Sequence, residues 1–218
     1  IIMPSYNAAE FIAASIQSVI DQTYSNWELL ITDDCSKDDT VKIVEQYLVK
    51  DNRIKLFSTG KNSGPACARN KSLENATGKY IAFLDSDDIW VSNKLEMQIN
   101  FMTEKNIAFS FSSYSIMKED GIQTGNTINV PKIIGYHGYL FNTIIGCLTV
   151  VIDREKTGNF MMPNIRSSQD MALWLLIMKR GFKAYGLQEP LAYYRLVSTS
   201  NTAKKWKAAK DVWKVYRE

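Results

Sequence analysis

The 218-residue chain is 45% hydrophobic and 22% charged, which is the composition of a globular protein with a sizeable core. Its net charge of +3 is too small to indicate binding to nucleic acid. The sequence contains neither an apolar run of membrane-span length nor a signal-peptide pattern. The three cysteines match no zinc spacing and indicate free thiols in a reducing compartment, so we expect a cytoplasmic protein.

The first half of the chain alternates apolar strand-like runs with amphipathic segments. Because it begins with Ile1-Ile2, we expect part of the first strand to lie upstream. Asn7 and Glu10 have the spacing of a capping box before the first helix, and Pro65 suits the first position of the third. Strands are predicted at 1–3, 27–32, 54–58 and 80–84, and helices up to 22 and at 36–49, 65–75 and 92–104. This order predicts an α/β fold with a mainly parallel central sheet flanked by helices.

The second half is less regular. Strands are predicted at 107–114, 148–152, 182–186 and 191–195, helices at 135–143 and 169–180, and a mobile loop at 118–131. The tail, at about 203–218, alternates basic residues with aromatic ones such as Trp206 and Trp213. It is predicted to be an amphipathic helix that either docks on the domain or lies on an anionic membrane surface.

A cluster of carboxylates follows the apolar run 80–84. Asp85, Asp87 and Asp88 come directly after this predicted central strand, at the sheet edge where ligands of open α/β sheets bind. Like charges at this spacing repel one another, and a Mg²⁺ or Mn²⁺ ion relieves that repulsion. The simpler alternative is that one Asp caps the next helix.

A second acidic strand end lies at Asp33-Asp34, and we expect it at the same sheet edge. The Asp34 carboxylate is suited to accept N–H groups from a base such as uracil while Tyr6 stacks on the ring. A helix cap and a tyrosine at the edge of the core are the alternative explanations.

Three further residues have two explanations each. Asp170, in the first turn of a predicted helix, suits either a general base or compensation of the helix dipole. Arg69 is suited either to contact phosphate or to lie on the surface as a solvated helix residue. Arg195 is suited either to contact phosphate or to pair with an acidic residue on the surface. His137, the only histidine, is assigned a structural role.

Taken in order, these motifs resemble glycosyltransferase family 2, the inverting enzymes with the GT-A fold. The chain covers nearly a whole domain of this kind, and bacterial transferases of capsule, teichuronic acid and lipopolysaccharide assembly are the most similar in pattern. The residues that carry the resemblance are Met3 to Asn7, Ser18 to Tyr24, Asp33 to Thr40, Asn62 to Asn70, and Leu84 to Asp88.

The resemblance implies a role for each matching residue. Tyr6 and Asp34 would hold the nucleotide base, Asp85 would lie near the ribose, and Asp87 would bind Mn²⁺ or Mg²⁺ on the diphosphate. The family's Glu-Asp pair is Gln169-Asp170 here, so the presumed catalytic base, Asp170, is kept. Cys35 follows Asp34 where members usually have Gly. Further nucleotide contacts are implied for Pro4, Arg69 and Ser86.

The implied function is transfer of a hexosyl or N-acetylhexosaminyl group, with inversion, from a nucleotide sugar to a glycan hydroxyl. The donor is expected to be UDP-linked, the acceptor a cell-surface polysaccharide or a polyprenyl-linked precursor, and the location the cytoplasm or the inner face of the membrane. One domain is expected, with a nucleotide half at about 1–110 and an acceptor half at about 111–200. A nucleotidyltransferase and a non-catalytic scaffold of glycan assembly are the alternatives.

Overall fold

The computed structural model describes residues 1–165 and 168–197, and its first half has the predicted alternation of strands and helices. The predicted helix 65–75 is confirmed with Pro65 at its start. The elements of this half are β1 (Ile2–Ser5), α1 (Ile12–Ile20), β2 (Leu29–Asp33), α2 (Thr40–Leu48), β3 (Ile54–Ser58), α3 (Pro65–Asn75), β4 (Tyr80–Ala82), β5 (Ile89–Trp90) and α4 (Lys94–Glu104).

Strands β1, β2 and β3 form the predicted parallel ladder in the order β1-β2-β3. Ser5 pairs with Asp33 at the end of this ladder. A parallel bridge between Ile2 and Phe83 joins β1 to the end of β4. Because these strands run in the same direction, the residues that follow β2 and β4 meet at one sheet edge, as predicted.

The second half adds strands that form a mixed, mainly antiparallel sheet with β4 and β5, and the bridge between Ile2 and Phe83 joins this sheet to the β1-β2-β3 ladder. Its elements are β6 (Phe109–Met117), β7 (Gln123–Ile128), β8 (Ile133–Ile134), α5 (Tyr136–Phe141), a 3₁₀-helix (Cys147–Thr149), β9 (Val151–Asp153), α6 (Arg154–Thr157), α7 (Gln169–Lys179) and β10 (Ala184–Arg195). β6 pairs with β10 in parallel, whereas β9 joins β4 and β6, β7 joins β6, and β5 and β8 join β10, all antiparallel.

Three local predictions were wrong. Residues 118–131 include strand β7, which forms a hairpin with β6; its mostly exposed polar side chains gave no apolar alternation to detect. Pro190 does not separate two strands, because β10 continues through it with register shifts on both sides. Asn7 does not cap α1, which begins at Ile12. Instead the Asn7 side chain accepts a hydrogen bond from the Lys37 N–H (2.8 Å).

The core lies on both faces of the sheet. Phe83 belongs to one buried cluster and Leu84 to the other, which is why the run 80–84 is apolar throughout. On the first face Trp174 of α7 packs with its ring centroid 5.4 Å from Phe83 and 5.3 Å from Phe109. This packing fixes α7 on the sheet and so determines where Asp170, in its first turn, lies.

Helix α4 carries a lysine with no exposed surface, Lys94. Its Nζ atom lies 4.4 Å from the centre of the Trp90 ring and donates a hydrogen bond to the Gln98 side chain. The Gln98 amide donates in turn to the Ser110 hydroxyl (3.1 Å) and the Thr149 carbonyl (2.9 Å). Burial lowers the pKa of Lys94 to about 7. This network braces the 3₁₀-helix.

The tail predicted as an amphipathic helix lies outside the described residues. Among the helices of residues 1–165 and 168–197, none combines the length and the apolar character needed to cross a membrane.

Candidate active site

The turn after β4 carries the first acid cluster, and β10 holds it in place. Strand β5 follows this turn and pairs with the end of β10. The N–H of Arg195 donates a 2.9 Å hydrogen bond to the Asp88 carboxylate, which is buried. The Asp88 N–H closes the turn by donating to the Asp85 carbonyl (3.1 Å). Asp85 and Asp87 therefore have the more accessible carboxylates of the cluster.

Negative charge is concentrated in this turn. Burial, and after it the charge of Asp85, raises the pKa of Asp87 to about 6. Burial also raises the pKa of Asp88 well above its ordinary value, with the charges of Asp87 and Asp85 adding to the effect. A cation would relieve this repulsion. Mg²⁺ is commonly held by one or two carboxylates plus substrate phosphates, and Asp85 and Asp87 fit that donor set. Within residues 1–165 and 168–197, no three His, Cys, Asp or Glu side chains converge on one point.

Arg69 of α3 lies beneath this turn. Its guanidinium is buried and forms an ion pair with Asp85. The Nε and Nη1 atoms are closed to solvent and have no hydrogen-bond partner among the described residues. Burial lowers the pKa of Arg69, but the negative groups around it, Asp85 first and then Cys147 and Asp170, together raise it above the ordinary value. Arg69 thus compensates the negative charge of Asp85 from the buried side of the turn. Its Nε and Nη1 groups are closed to solvent.

Asp170, the expected base, lies in the first turn of α7 and is partly exposed. Burial of its carboxyl raises its pKa, and the positive charge of Arg69 opposes this shift. A carboxylate with a raised pKa accepts a proton more readily at neutral pH, which suits a general base. The buried Gln169 beside it has a side-chain oxygen without a donor among the described residues.

Asp34, at the end of β2, organises the loop between β3 and α3. Its carboxylate accepts hydrogen bonds from the Thr59 hydroxyl (2.7 Å), the Ser63 N–H (2.8 Å) and the Gly64 N–H (2.7 Å). A carboxylate has about four acceptor positions, so these three donors leave one position on Oδ2 unused, in a side chain that is itself buried. Cys35 has φ 65°, the left-handed conformation that explains why Gly is usual at this position.

The remaining predicted nucleotide contacts line the same edge. Tyr6 follows β1 and is 47% exposed, so its side chain is accessible to a ligand. Pro4 is buried inside β1, opposite Thr32, and Ser86 is nearly buried in the turn after β4. The structure therefore brings Tyr6, Asp34, Asp85 and Asp87 to one edge and places Pro4 in the strand below them.

Sequence reasoning missed how Arg195 acts. Its Nε donates to the Asp87 carbonyl (2.7 Å), and its Nη1 donates to the Glu119 carbonyl at the tip of the β6–β7 hairpin (2.8 Å). The guanidinium also lies 4.9 Å from the centre of the Phe11 ring. Arg195 therefore clamps three elements around the acidic turn. Its only sequence signal was its position at the end of a predicted strand.

Asn70 and Cys147 were also missed. The Asn70 side chain donates to the Met162 carbonyl (2.9 Å) and accepts from the Met162 N–H (2.7 Å), so α3 holds the segment before α7. Cys147 is buried near Arg69, and burial raises the pKa of its thiol well above the ordinary value. Asn70 lies within the motif Asn62 to Asn70, but that motif does not indicate its partner, and Cys147 belongs to no motif.

Comparison with known proteins identifies the protein family of this chain. Residues 1–157 match Glycosyl transferase family 2. The chain belongs to this family. It is similar to TuaG of Bacillus subtilis (strain 168), named as a teichuronic acid biosynthesis glycosyltransferase, with 54% identity over 100% of this chain and 86% of TuaG. The family resemblance drawn from the motifs is confirmed.

A second relative of this family 2 chain is WfgD of Escherichia coli, with 46% identity over 99% of this chain and 83% of WfgD. Its name is UDP-Glc:alpha-D-GlcNAc-diphosphoundecaprenol beta-1,3-glucosyltransferase. The crystal structure of S. aureus TarS 1-349 in complex with UDP-GlcNAc matches with a TM-score of 0.78 and 21% identity, over 99% of this chain and 63% of that one. The GT-A fold and the glycosyltransferase class are thus confirmed.

Proposed function

We propose that this family 2 glycosyltransferase moves a hexosyl or N-acetylhexosaminyl group from a UDP-sugar to a hydroxyl of a lipid-linked or polysaccharide glycan precursor, with inversion. The observation that carries the proposal is the convergence of two acidic strand ends with Arg69 and Asp170 at one sheet edge. The names of TuaG and WfgD, which span most of this chain at 54% and 46% identity, support the glycan class and the UDP-linked donor.

The donor nucleotide would lie across the ends of β1, β2 and β4. The exposed Tyr6 ring would stack on the base while Oδ2 of Asp34 accepts an N–H from it. Asp85 would receive a ribose hydroxyl, since its side chain is 31% exposed and faces Arg69 on its other side. Ser86 and Pro4 would shape the floor of this site.

Asp87, with Asp85 beside it, would hold Mn²⁺ or Mg²⁺ at the diphosphate. The excess of negative charge in the turn favours a cation there, and the oxygen donors fit either ion. When bound, such a cation stabilises charge on a departing nucleoside diphosphate. Arg195 positions Asp87 for this contact by binding its carbonyl.

Asp170 would act as the general base. It takes the proton of the acceptor hydroxyl as that oxygen bonds to the anomeric carbon of the sugar. The bond from this carbon to the diphosphate oxygen breaks at the same time, and its electron pair leaves with UDP. Arg69 would favour the ionised form of Asp170 without touching the reacting atoms, because its charge opposes the pKa increase caused by burial. Positioning and electrostatics supply most of the acceleration.

The acceptor would be a sugar carried on a diphosphate-linked lipid, at the inner face of the membrane. The test is to incubate the chain and Mn²⁺ with UDP-, GDP- and CDP-sugars and a synthetic GlcNAc-diphospho-lipid, then measure product mass and anomeric configuration. A β-linked product from an α-linked UDP-sugar, lost on chelation, is expected. Transfer from a GDP- or CDP-sugar instead would contradict the donor assignment, and pyrophosphate release from a nucleoside triphosphate would indicate a nucleotidyltransferase.

A further inference from the structure

One face of the second half combines exposed apolar side chains with exposed lysines. We call it the basic apolar face, and β8, α5, the end of α7 and the start of β10 build it. Its apolar members are Ile133 (46% exposed), Phe141 (92%) and Leu176 (46%). Its basic members, all exposed, are Lys132, Lys179 and Lys183.

The topology brings these residues together. β8 pairs antiparallel with the start of β10, so Ile133 lies opposite Tyr185. The stem of Lys183 lies beside the start of α5, where a Cβ added to Gly135 would be 3.7 Å from its Cγ. α5 packs on α7, so the exposed side chains of Phe141 and Leu176 belong to two helices in contact.

The charge of this face has one sign. The segments 121–152 and 171–187, which supply the whole face, contain no Asp or Glu, although the chain has 23 acidic residues. Within the described part of the chain, none of its three lysines forms an ion pair. An occupant of this face must therefore bring negative charge and accept apolar side chains.

Two alternative occupants fit this charge poorly. The chain's own tail carries six Lys or Arg but only two acidic residues between 204 and 218, so it would be repelled. A second copy packed through a twofold axis would place lysine against lysine. An anionic bilayer fits better, because Phe and Ile side chains enter the interface while lysine stems extend their ammonium groups to lipid phosphates.

We propose that the basic apolar face rests on an anionic phospholipid surface and holds the active site above it. The proposal deepens the proposed function, since the acceptor there is carried on a lipid. α7 connects the two sites: Asp170 lies in its first turn and Lys179 is its last residue, about 14 Å further along the helix axis.

The test is co-sedimentation of the 218-residue chain with vesicles of phosphatidylcholine alone or mixed with phosphatidylglycerol, without donor or acceptor. We expect binding only to the anionic vesicles. Phe141→Ser should weaken it about tenfold, and the pair Lys132→Glu and Lys183→Glu by more than tenfold. The matched control is Val49→Ser, which removes an 87% exposed side chain from α2 and should leave binding unchanged. Each variant should keep the parent's unfolding temperature.

Three results would overturn the proposal. One is equal binding of the parent chain and the face variants. Another is loss of binding only in Trp206→Ser with Trp213→Ser, which would assign the contact to the tail. The third is a parent dimer that Phe141→Ser dissociates, which would assign the face to a second copy. Because no substrate is present, failure here leaves sugar transfer untouched, and failure of transfer leaves vesicle binding measurable.

Discussion

The backbone N–H of Arg195 donates to the carboxylate of Asp88 across 107 positions of sequence, while the Arg195 side chain holds the carbonyl of Asp87 (2.7 Å). The last residue of β10 thus fixes the acidic turn that follows β4. Because the side chain also binds the Glu119 carbonyl, the turn and the hairpin are held by one guanidinium.

Arg195→Lys should therefore weaken nucleotide binding more than it weakens the fold. Lysine keeps the charge but not two N–H donors in fixed directions, so the Asp87 and Glu119 carbonyls cannot both be held. We expect a roughly tenfold loss of Mn²⁺-dependent UDP affinity by calorimetry and about 1–2 kcal/mol of stability. Arg180→Lys is the control, since Arg180 makes a 3.3 Å contact with the Thr157 carbonyl away from the site. Unchanged UDP affinity in Arg195→Lys would show that the clamp does not position Asp87.

Asp170→Asn should abolish most transfer without loss of donor binding. The amide keeps the shape of the side chain but cannot take the acceptor proton, and loss of a general base lowers rates by about 10²–10⁴-fold. Transfer and UDP affinity are measured on the same preparation. Asp21→Asn, a change at an exposed carboxylate that accepts from the Gln17 amide, serves as the control. Near-normal turnover in Asp170→Asn would remove Asp170 from the role of base.

Arg69→Gln should move the acid limb of the pH–rate profile to higher pH. Asp170 must be ionised to accept a proton, and the positive charge of Arg69 counteracts the pKa increase that burial causes. Without that charge the pKa of Asp170 rises further, so kcat/KM at a given mildly acidic pH falls. The variant also leaves Asp85 unpaired, which should cost about 2 kcal/mol because that carboxylate is partly solvated.

The matched control for Arg69→Gln is Arg154→Gln, at the opposite edge of the sheet, where Arg154 donates to the Ala76 carbonyl (2.8 Å). It should leave the pH profile in place. An unshifted acid limb in Arg69→Gln would mean that Arg69 does not control the ionisation of Asp170.

Lys94 should make the free energy of unfolding increase with pH, and this increase should be absent in Lys94→Met. Its folded pKa of about 7 lies below its unfolded value, so between these two values only the unfolded chain holds the proton. The Lys94 contribution to the free energy of unfolding is therefore most favourable above about pH 10 and is lost as the pH falls towards 7. Relative to Lys94→Met, the parent should gain about 1.4 kcal/mol per pH unit between pH 8 and 10.

Urea unfolding of the two proteins across that range measures this difference. Lys105→Met, at the exposed end of the same helix, is the matched control. If the difference in free energy of unfolding between the parent and Lys94→Met stays constant with pH, the lowered pKa of Lys94 is contradicted.

The parts of the fold that sequence predicted well depend on neighbouring residues. The apolar runs of β3 and β4 and the Pro65 start of α3 were confirmed because strand burial and helix initiation are decided within a few positions. The common edge of Asp34 and Asp85 followed from parallel topology alone. Such patterns predict structure reliably where the role of a side chain is decided by residues close to it in the sequence.

The parts that failed depend on distant partners. Asn7 has the residue type of a helix cap, but its side chain binds Lys37 in another loop. The roles of Asn70 and Arg195 depend on partners 92 and 108 positions away, and no local pattern encodes them. Strand β7 escaped detection because an exposed edge strand needs no apolar side chains.

The hydrogen-bonded pair Asn70 and Met162 has a practical meaning for enzyme engineering. Arg69 of α3 forms the ion pair with Asp85, and the next residue, Asn70, binds the backbone of the segment that leads to Asp170. A chimaera that exchanges the second half of the chain between family members therefore depends on a contact made by α3, in the first half. Grafts that keep an asparagine at position 70 and a backbone of the same conformation at position 162 should keep the segment before Asp170 in place. Grafts joined only near position 110, without regard to position 70, would not preserve this contact by design.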